Sequence, residues 1–237
     1  MEHEIRKHMH NILAETTNRK KSVWKRLGEI MIEVIIIVFA VSFAVFMERQ
    51  REVHHEEKEV KEFLTGLKTD LKNDIKEMEE DKLVYKDQAK WMNYFGKEEK
   101  INQDSLRRHE WLLWNNTHLL VNNGRYEGFK SSGKINTIEN TELRNNILDL
   151  YQEIIIGLTN NTSGYNELKK DLQRKINYAR KHAGQQNDNL AEVLQEQEIK
   201  NYCIRLQFTG ESVRRYDSAI SRSQRIIELI DSEYPEK

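Results

Sequence analysis

From Ile30 to Met47 the chain carries a single charge, Glu33. At 1.5 Å per residue a helix of that length covers about 27 Å, close to the roughly 30 Å of hydrocarbon in a bilayer. The strictly uncharged part, from Val34 to Met47, is shorter, and its length is more usual for a buried core helix. Glu33 lies one turn from the end of the run, where a side chain can reach the headgroups rather than the bilayer centre. A cleaved signal peptide is the other reading, given Ala40, Ser42 and Ala44. The apolar stretch exceeds an ordinary signal-peptide core, however, and a long segment, Met1 to Gly28, precedes it. The run therefore reads as an uncleaved single-pass membrane helix at residues 29–47. It joins a basic tail at residues 1–28 to a domain at residues 48–237.

Flanking charge sets the expected orientation. The tail carries Arg6, Lys7, Arg19, Lys20, Lys21, Lys25 and Arg26 against Glu2, Glu4 and Glu15. From Glu48 to Glu62, acidic residues outnumber Arg49, Arg51, Lys58 and Lys61. That bias places the N-terminus in the cytoplasm and the large domain outside, which in a bacterium with two membranes is the periplasm. Trp24 fits an anchor at the membrane interface. Arg26, Glu29, Ile30 and Glu33 are separated by helical spacings and share one face. Two explanations of Glu33 stay open at this level. Either it snorkels or is protonated, or it meets Arg26 or Lys25 of a neighbouring subunit or partner helix, and the Glu33, Glu29, Arg26 face supports intramembrane association.

Beyond the run the chain reads as helix. It has 10 Gly and one Pro, Pro235, and charged residues make up 32% of it, a helix-rich balance. Val60, Leu64, Leu67, Leu71, Ile75, Met78, Tyr85, Ala89 and Met92 form one apolar stripe with a gap over Lys82. Leu64, Leu71, Met78, Tyr85 and Met92 are heptad-spaced, a coiled-coil-like pattern. The expected course is a stalk helix to Gly96 and a loop from Gly96 to Gln103. A second helix follows from Leu106 to about Val121, capped by Asp104 or Ser105, with "WLLWNNTHLL" its best-buried part. "NNG" at Asn122 to Gly124 ends it, a short helix lies near Tyr126 to Ser132, and "SSGKIN" turns. Asn140 or Thr141 caps a long helix toward His182, bent near Gly157 and Gly164. "GQQNDN" is a loop before helices at Leu190–Gln207 and Gly210–Tyr234. The fold class is all-α: one transmembrane helix continuing into a long stalk and an extracytoplasmic helical bundle.

Tests for chemistry return little. "GFKSSGKI", Gly128 to Ile135, approaches a phosphate-binding loop, but Ile135 stands where a hydroxyl is needed and no strand precedes it. His54 and His55 are adjacent and diverge by about 100° on a helix, so they cannot share a metal as an i, i+4 pair would. His3, His8 and His10 lie in the tail and amount to weak adventitious metal binding. His109 and Glu110, beside Trp111 and Trp114, could form an acid–base unit, but no third group orients them, and a helix surface flanking a buried aromatic is the plainer reading. One cysteine, Cys203, excludes an intramolecular disulfide and a Cys-based zinc site. The net charge of −1, with signs alternating along every helix, leaves no basic stripe for nucleic acid. No cofactor, metal ligand or catalytic residue is assigned.

Two segments resemble an uncharacterised bacterial family of short, single-pass envelope proteins, known only as a domain of unknown function. One is "LGEIMIEVIIIVFAVSFAVFMERQRE" leading into "FLTGLKTDLKNDI"; the other is "YEGFKSSGKINTIENTELRNNILDLYQ". "AVFMERQ" departs from the Asn and Trp that usually end the family's membrane helix. The resemblance implies an N-in anchor and a helical extracytoplasmic domain. It implies no reaction, ligand or catalytic residue.

The expectation is a non-enzymatic interaction or scaffold protein of the bacterial inner membrane. Its partners are the lipid bilayer and either copies of itself or another membrane protein. The alternative is a periplasmic small-ligand sensor that relays through the membrane helix to a partner, since the tail at residues 1–28 is too short for an output domain.

Overall fold

Apolar residues at three- and four-residue spacings, with almost no proline, leave helix as the only repeating way to bury them. The computed structural model describes the backbone of residues 2–235 and the side chains of residues 23–235 other than Arg26 and Glu29. Every regular element among the described residues is helical, and no strand occurs among them. Contacts divide the chain into two units, Met1–Lys58 and Glu59–Lys237.

In the first unit α1, spanning Glu2–Lys97, carries the apolar run. Every side chain from Ile30 to Met47 is exposed. By length and composition this stretch is long and apolar enough to cross a membrane, and none of its most apolar window is buried. Phe39 and Phe43, one turn apart, stack with centroids 6.2 Å apart.

In the second unit the α1 stripe is core. Val60, Leu64, Leu67, Leu71, Met78, Tyr85 and Met92 are buried, while Ile75 and Ala89 are half-buried. Two apolar clusters share the stripe. The first joins α1 to α5 (Thr141–Asp149), α6 (Ile155–Ala179) and α9 (Gly210–Glu233) through Leu71, Leu143, Leu158 and Ile226. The second gathers Met92 and Phe95 with Leu172, Ile176, Val193 and Cys203. A fully buried leucine contributes about 1.5–3 kcal/mol, so the stripe alone is a large part of what holds this unit together. Lys82, in the gap of the stripe, is paired with Glu79 at 2.5 Å and Asp217 at 3.1 Å.

Several boundaries differ from the expectation. Gly96 does not open the loop: α1 continues to Lys97, and Ile204 packs against the bare backbone of Gly96, where a Cβ would lie 2.8 Å from its Cδ1. The next cap is Asn102, whose Oδ1 accepts from Ser105 N at 2.9 Å, rather than Asp104 or Ser105. The expected helix from Leu106 to Val121 is instead α2 (Gln103–His109) and α3 (Trp111–Trp114), followed by non-helical chain to Asn123. Asn115, Asn116 and Thr117 are weak helix formers, and the carbonyls of Asn115 and Thr117 accept from side chains of α6.

Asn123 is the residue before α4 (Gly124–Ser131), and Gly133, at φ +77°, turns the chain into a 3-10 turn at Lys134–Thr137. Asn140 caps α5 as expected, accepting from Leu143 N at 3.0 Å. The long helix changes at a π-helical turn, Leu150–Ile154, before Gly157. The wider turn buries two consecutive residues, Leu150 and Tyr151. The stretch expected as one helix from Leu190 divides into α7 (Leu190–Val193) and α8 (Gln197–Leu206).

Candidate functional site

The chain from Asn115 to Asn123 has no helical bonds of its own over most of its length, so its backbone groups must be met from outside. Acceptors come from α1. Glu77 Oε1 takes the Leu120 amide at 3.0 Å, and Asp74 Oδ1 takes the Asn122 amide at 3.1 Å and its side-chain Nδ2 at 2.6 Å. Donors come from α6. Gln173 Nε2 donates to the carbonyls of Leu113 and Trp114 at 3.0 and 3.2 Å, Lys169 Nζ to that of Asn115, and Asn166 Nδ2 to that of Thr117 at 2.9 Å. Thr162, Asn166, Lys169 and Gln173 follow spacings of four, three and four, so one face of α6 is a polar ladder. The segment is a strap held between two helices by side chains. Asp74 is 1% exposed. Burial pushes its carboxyl up, and the two bonds from Asn122 oppose that rise.

Where the strap crosses α1 and α6, a buried polar layer lies beside the rings of Tyr85 and Tyr165, which meet edge to face at 5.2 Å. Tyr165 packs against both apolar clusters and donates to Leu206 O at 2.9 Å. Gln88, one turn after Tyr85, is fully buried with both amide atoms unpartnered. Tyr85 Oη, Asn116 Oδ1, Thr117 Oγ1, Thr162 Oγ1 and Asn166 Oδ1 are likewise buried without a well-formed hydrogen bond. The Tyr85 hydroxyl does lie beside Thr162 and Thr117, so these hydroxyls are neighbours in poor bonding geometry. Lys169 is 0% exposed, and burial pushes its ammonium down to about 7. Tyr216 closes the layer on the α9 side, donating to Asp81 Oδ2 at 2.7 Å. Burial raises the Tyr165 and Tyr216 phenols strongly.

A third arrangement joins the two segments that carry the family resemblance. Phe63 and Phe129 stack at 4.0 Å, and Arg125 Nε donates to Asp70 Oδ2 at 2.9 Å. The Arg125 guanidinium lies over Gly66, where a Cβ would collide with it. Tyr126 stacks on Tyr151 of the π-helical turn, and Gln152 Nε2 donates to Tyr126 Oη at 3.0 Å. "GFKSSGKI" does not form a phosphate loop. Its first residues are in α4, and Lys134 Nζ is engaged at 2.7 Å with both carboxylate oxygens of Glu59.

Of the residues singled out from sequence, His109 and Glu110 have separate partners. Trp24 is 74% exposed and Glu33 is exposed. The side chains of Arg26 and Glu29 lie outside the described residues, as do those of His3, His8 and His10. His109 stacks on Trp91 at 3.4 Å and bonds Ser105 O through Nδ1. Glu110 instead accepts from Trp114 Nε1 at 3.2 Å and pairs with Arg180 at 2.9 Å. The two do not act as a pair, and Trp111 is 47% exposed rather than buried. His54 and His55 are exposed, and among the described residues no group of three or more His, Cys, Asp or Glu could hold a metal.

Sequence reasoning missed the strap and the polar layer. The available signal was the run of polar residues, Thr162, Asn166, Lys169 and Gln173, on the face that Leu158, Leu172 and Ile176 mark as buried.

These features define an all-helical protein with an exposed, membrane-length apolar stretch and a separately packed helical unit. The chain belongs to a family of unknown function (DUF6090), whose model matches residues 29–184. That span takes in the apolar run, the strap, α4, α5 and α6. No curated protein and no solved structure matches the chain.

Proposed function

We propose that this is a membrane-anchored, non-enzymatic helical interaction protein of the bacterial envelope. Residues 29–47 cross the inner membrane, the N-terminus is cytoplasmic, and the helices of residues 48–237 form a periplasmic bundle that holds copies of itself or a partner membrane protein. The observation that carries this reading is the exposure of every side chain from Ile30 to Met47. A stretch that apolar, left bare by its own chain, needs an apolar solvent, and a bilayer is the one its length fits. The test is thiol labelling in intact spheroplasts, with Cys203 replaced. A cysteine at Ser22 is protected from an impermeant reagent and one at Asn187 is labelled. The reverse pattern overturns the orientation, and release of the chain by carbonate washing overturns the anchor. Purification in mild detergent, with mass and stoichiometry measured, identifies what the helical unit holds.

A second reading, a sensor of a small periplasmic ligand, draws support from the buried polar layer. Orphaned amides and hydroxyls around a buried lysine are costly to keep, and helical proteins commonly bind ligands between their helices.

A further inference from the structure

Lys169 is the starting point. An ammonium carries three N–H donors and no acceptor, and here one carbonyl, that of Asn115, is its hydrogen-bond partner. Among the described residues no carboxylate pairs with it. Buried charges in proteins are ordinarily paired and fully hydrogen-bonded, because a bare one is expensive to desolvate.

The other groups at this level also lack partners. Asn166, one turn before Lys169, is tied to Thr117 O, so Thr117 and Lys169 meet the same stretch of the strap. Thr117 and Thr162 flank the Tyr85 hydroxyl, and Gln88 follows Tyr85 by one turn of α1. Lys169 has spare N–H groups, Gln88 carries an unpartnered NH2 one turn beyond Tyr85, and Tyr85, Thr117 and Thr162 carry neighbouring hydroxyls that can donate or accept. Against these stand the carbonyl oxygens of Gln88, Asn116 and Asn166. Among these groups Lys169 supplies N–H donors with no acceptor, and a positive charge when protonated. In its protonated form Lys169 would repel a cation and would be left unbalanced by a neutral guest.

We propose that this layer is a binding site for a small monovalent anion, a carboxylate or a halide, with Lys169 as its counter-charge and Gln88, Thr117 and Thr162 as further donors. A carboxylate accepts from two or more donors at once. The strap gives a route inward. Its backbone is fixed to α1 and α6 by side-chain bonds rather than a helical or sheet ladder, so local opening of residues 115–123 exposes the layer without unfolding the cores. The inference gives the sensing reading its ligand class, while the existence of the site rests on the geometry alone.

The test uses the full chain in detergent micelles. Thermal unfolding is followed by circular dichroism while sodium formate or sodium bromide replaces sodium gluconate at constant ionic strength, gluconate being too bulky for a closed layer. Formate raises the wild-type Tm by several degrees in a saturable manner. The rise is absent in Lys169→Met and smaller in Gln88→Leu, and a larger response to bromide identifies the halide as the guest. An equal rise in wild type and Lys169→Met, or a linear one that never saturates, overturns the proposal. Should Lys169→Met fail to fold, the titration midpoint of the Lys169 13Cε resonance in wild type decides. Formate moves it upward by a unit or more, and an unchanged midpoint overturns the site. Saturable binding with no effect on cross-linking between membrane helices supports the site and removes the sensing reading.

Discussion

The rings of Tyr126 and Tyr151 lie face to face, with centroids 4.3 Å apart and planes inclined by 11°. Tyr126 belongs to α4 and Tyr151 to the π-helical turn, so the stack ties a short surface helix to the irregular turn that leads into α6. The hydroxyls differ: Tyr126 Oη accepts from Gln152, whereas Tyr151 Oη is buried without a partner. Removing an unpartnered buried hydroxyl relieves a desolvation cost. Tyr151→Phe is therefore neutral or stabilising by up to about 1 kcal/mol. Tyr151→Ala, which opens a cavity beside Tyr126, costs about 3–5 kcal/mol. Urea unfolding of both variants measures the difference, and a Phe variant as damaged as the Ala variant would show that the hydroxyl is used.

Gly96 supplies a second test, because helix propensity and packing oppose each other there. Alanine is the better helix former by about 1 kcal/mol. Its Cβ, however, would sit 2.8 and 2.9 Å from the Ile204 side chain and 3.1 Å from the Ile204 backbone nitrogen. Overpacking of that kind costs about 1–3 kcal/mol, so Gly96→Ala lowers Tm. The double variant Gly96→Ala with Ile204→Val recovers part of the loss, which a purely conformational effect of glycine would not allow.

The pH dependence of stability follows from Lys169. Its folded pKa, about 7, lies below the unfolded value near 10.4. Between those limits the unfolded chain binds more protons, so stability rises with pH across that window. Cys203, whose thiol burial pushes up to about 12, and the buried tyrosines act in the opposite sense above about pH 9. The clean interval is therefore about pH 7 to 8.5, where the gain is at most about 2 kcal/mol. Chemical denaturation without added carboxylate checks it: wild type gains across the interval and Lys169→Met does not.

The proposed association gives Glu33 a role that can be tested. An acid within an apolar membrane helix faces protein more often than lipid, and Arg26 and Glu29 lie on its face by spacing. Glu33→Leu leaves insertion intact and weakens cross-linking in native membranes. Unchanged cross-linking at normal expression would leave Glu33 as a tolerated residue near the headgroups.

What could be read from the sequence was set by the range of the interactions. The heptad residues from Leu64 to Met92 announce one buried face because their period is local, and Asn140 announces a cap because its acceptor and donor lie three residues apart. The strap was hidden because nothing near Asn115 reveals that Asn166, Lys169 and Gln173, far along the chain, will take its carbonyls. Gly96 looks like a breaker until Ile204 is seen against it. Gln88 and Lys169 are polar residues at registers that their apolar neighbours mark as buried, a signal that names the face and not the partners. Of the residues read from sequence, Glu33 and Trp24 lie in or beside the exposed apolar stretch, and the polar layer comes from the tertiary contacts.

The heptad face of α1 has one further consequence. Leu64, Leu71, Met78, Tyr85 and Met92 are each no more than 1% exposed within a single chain. A face already filled by α5, α6, α8 and α9 cannot also zip to a second copy, so its coiled-coil-like spacing is a record of intramolecular fit. Any self-assembly must draw on other surfaces, which limits the search for contact-disrupting substitutions to residues outside that register.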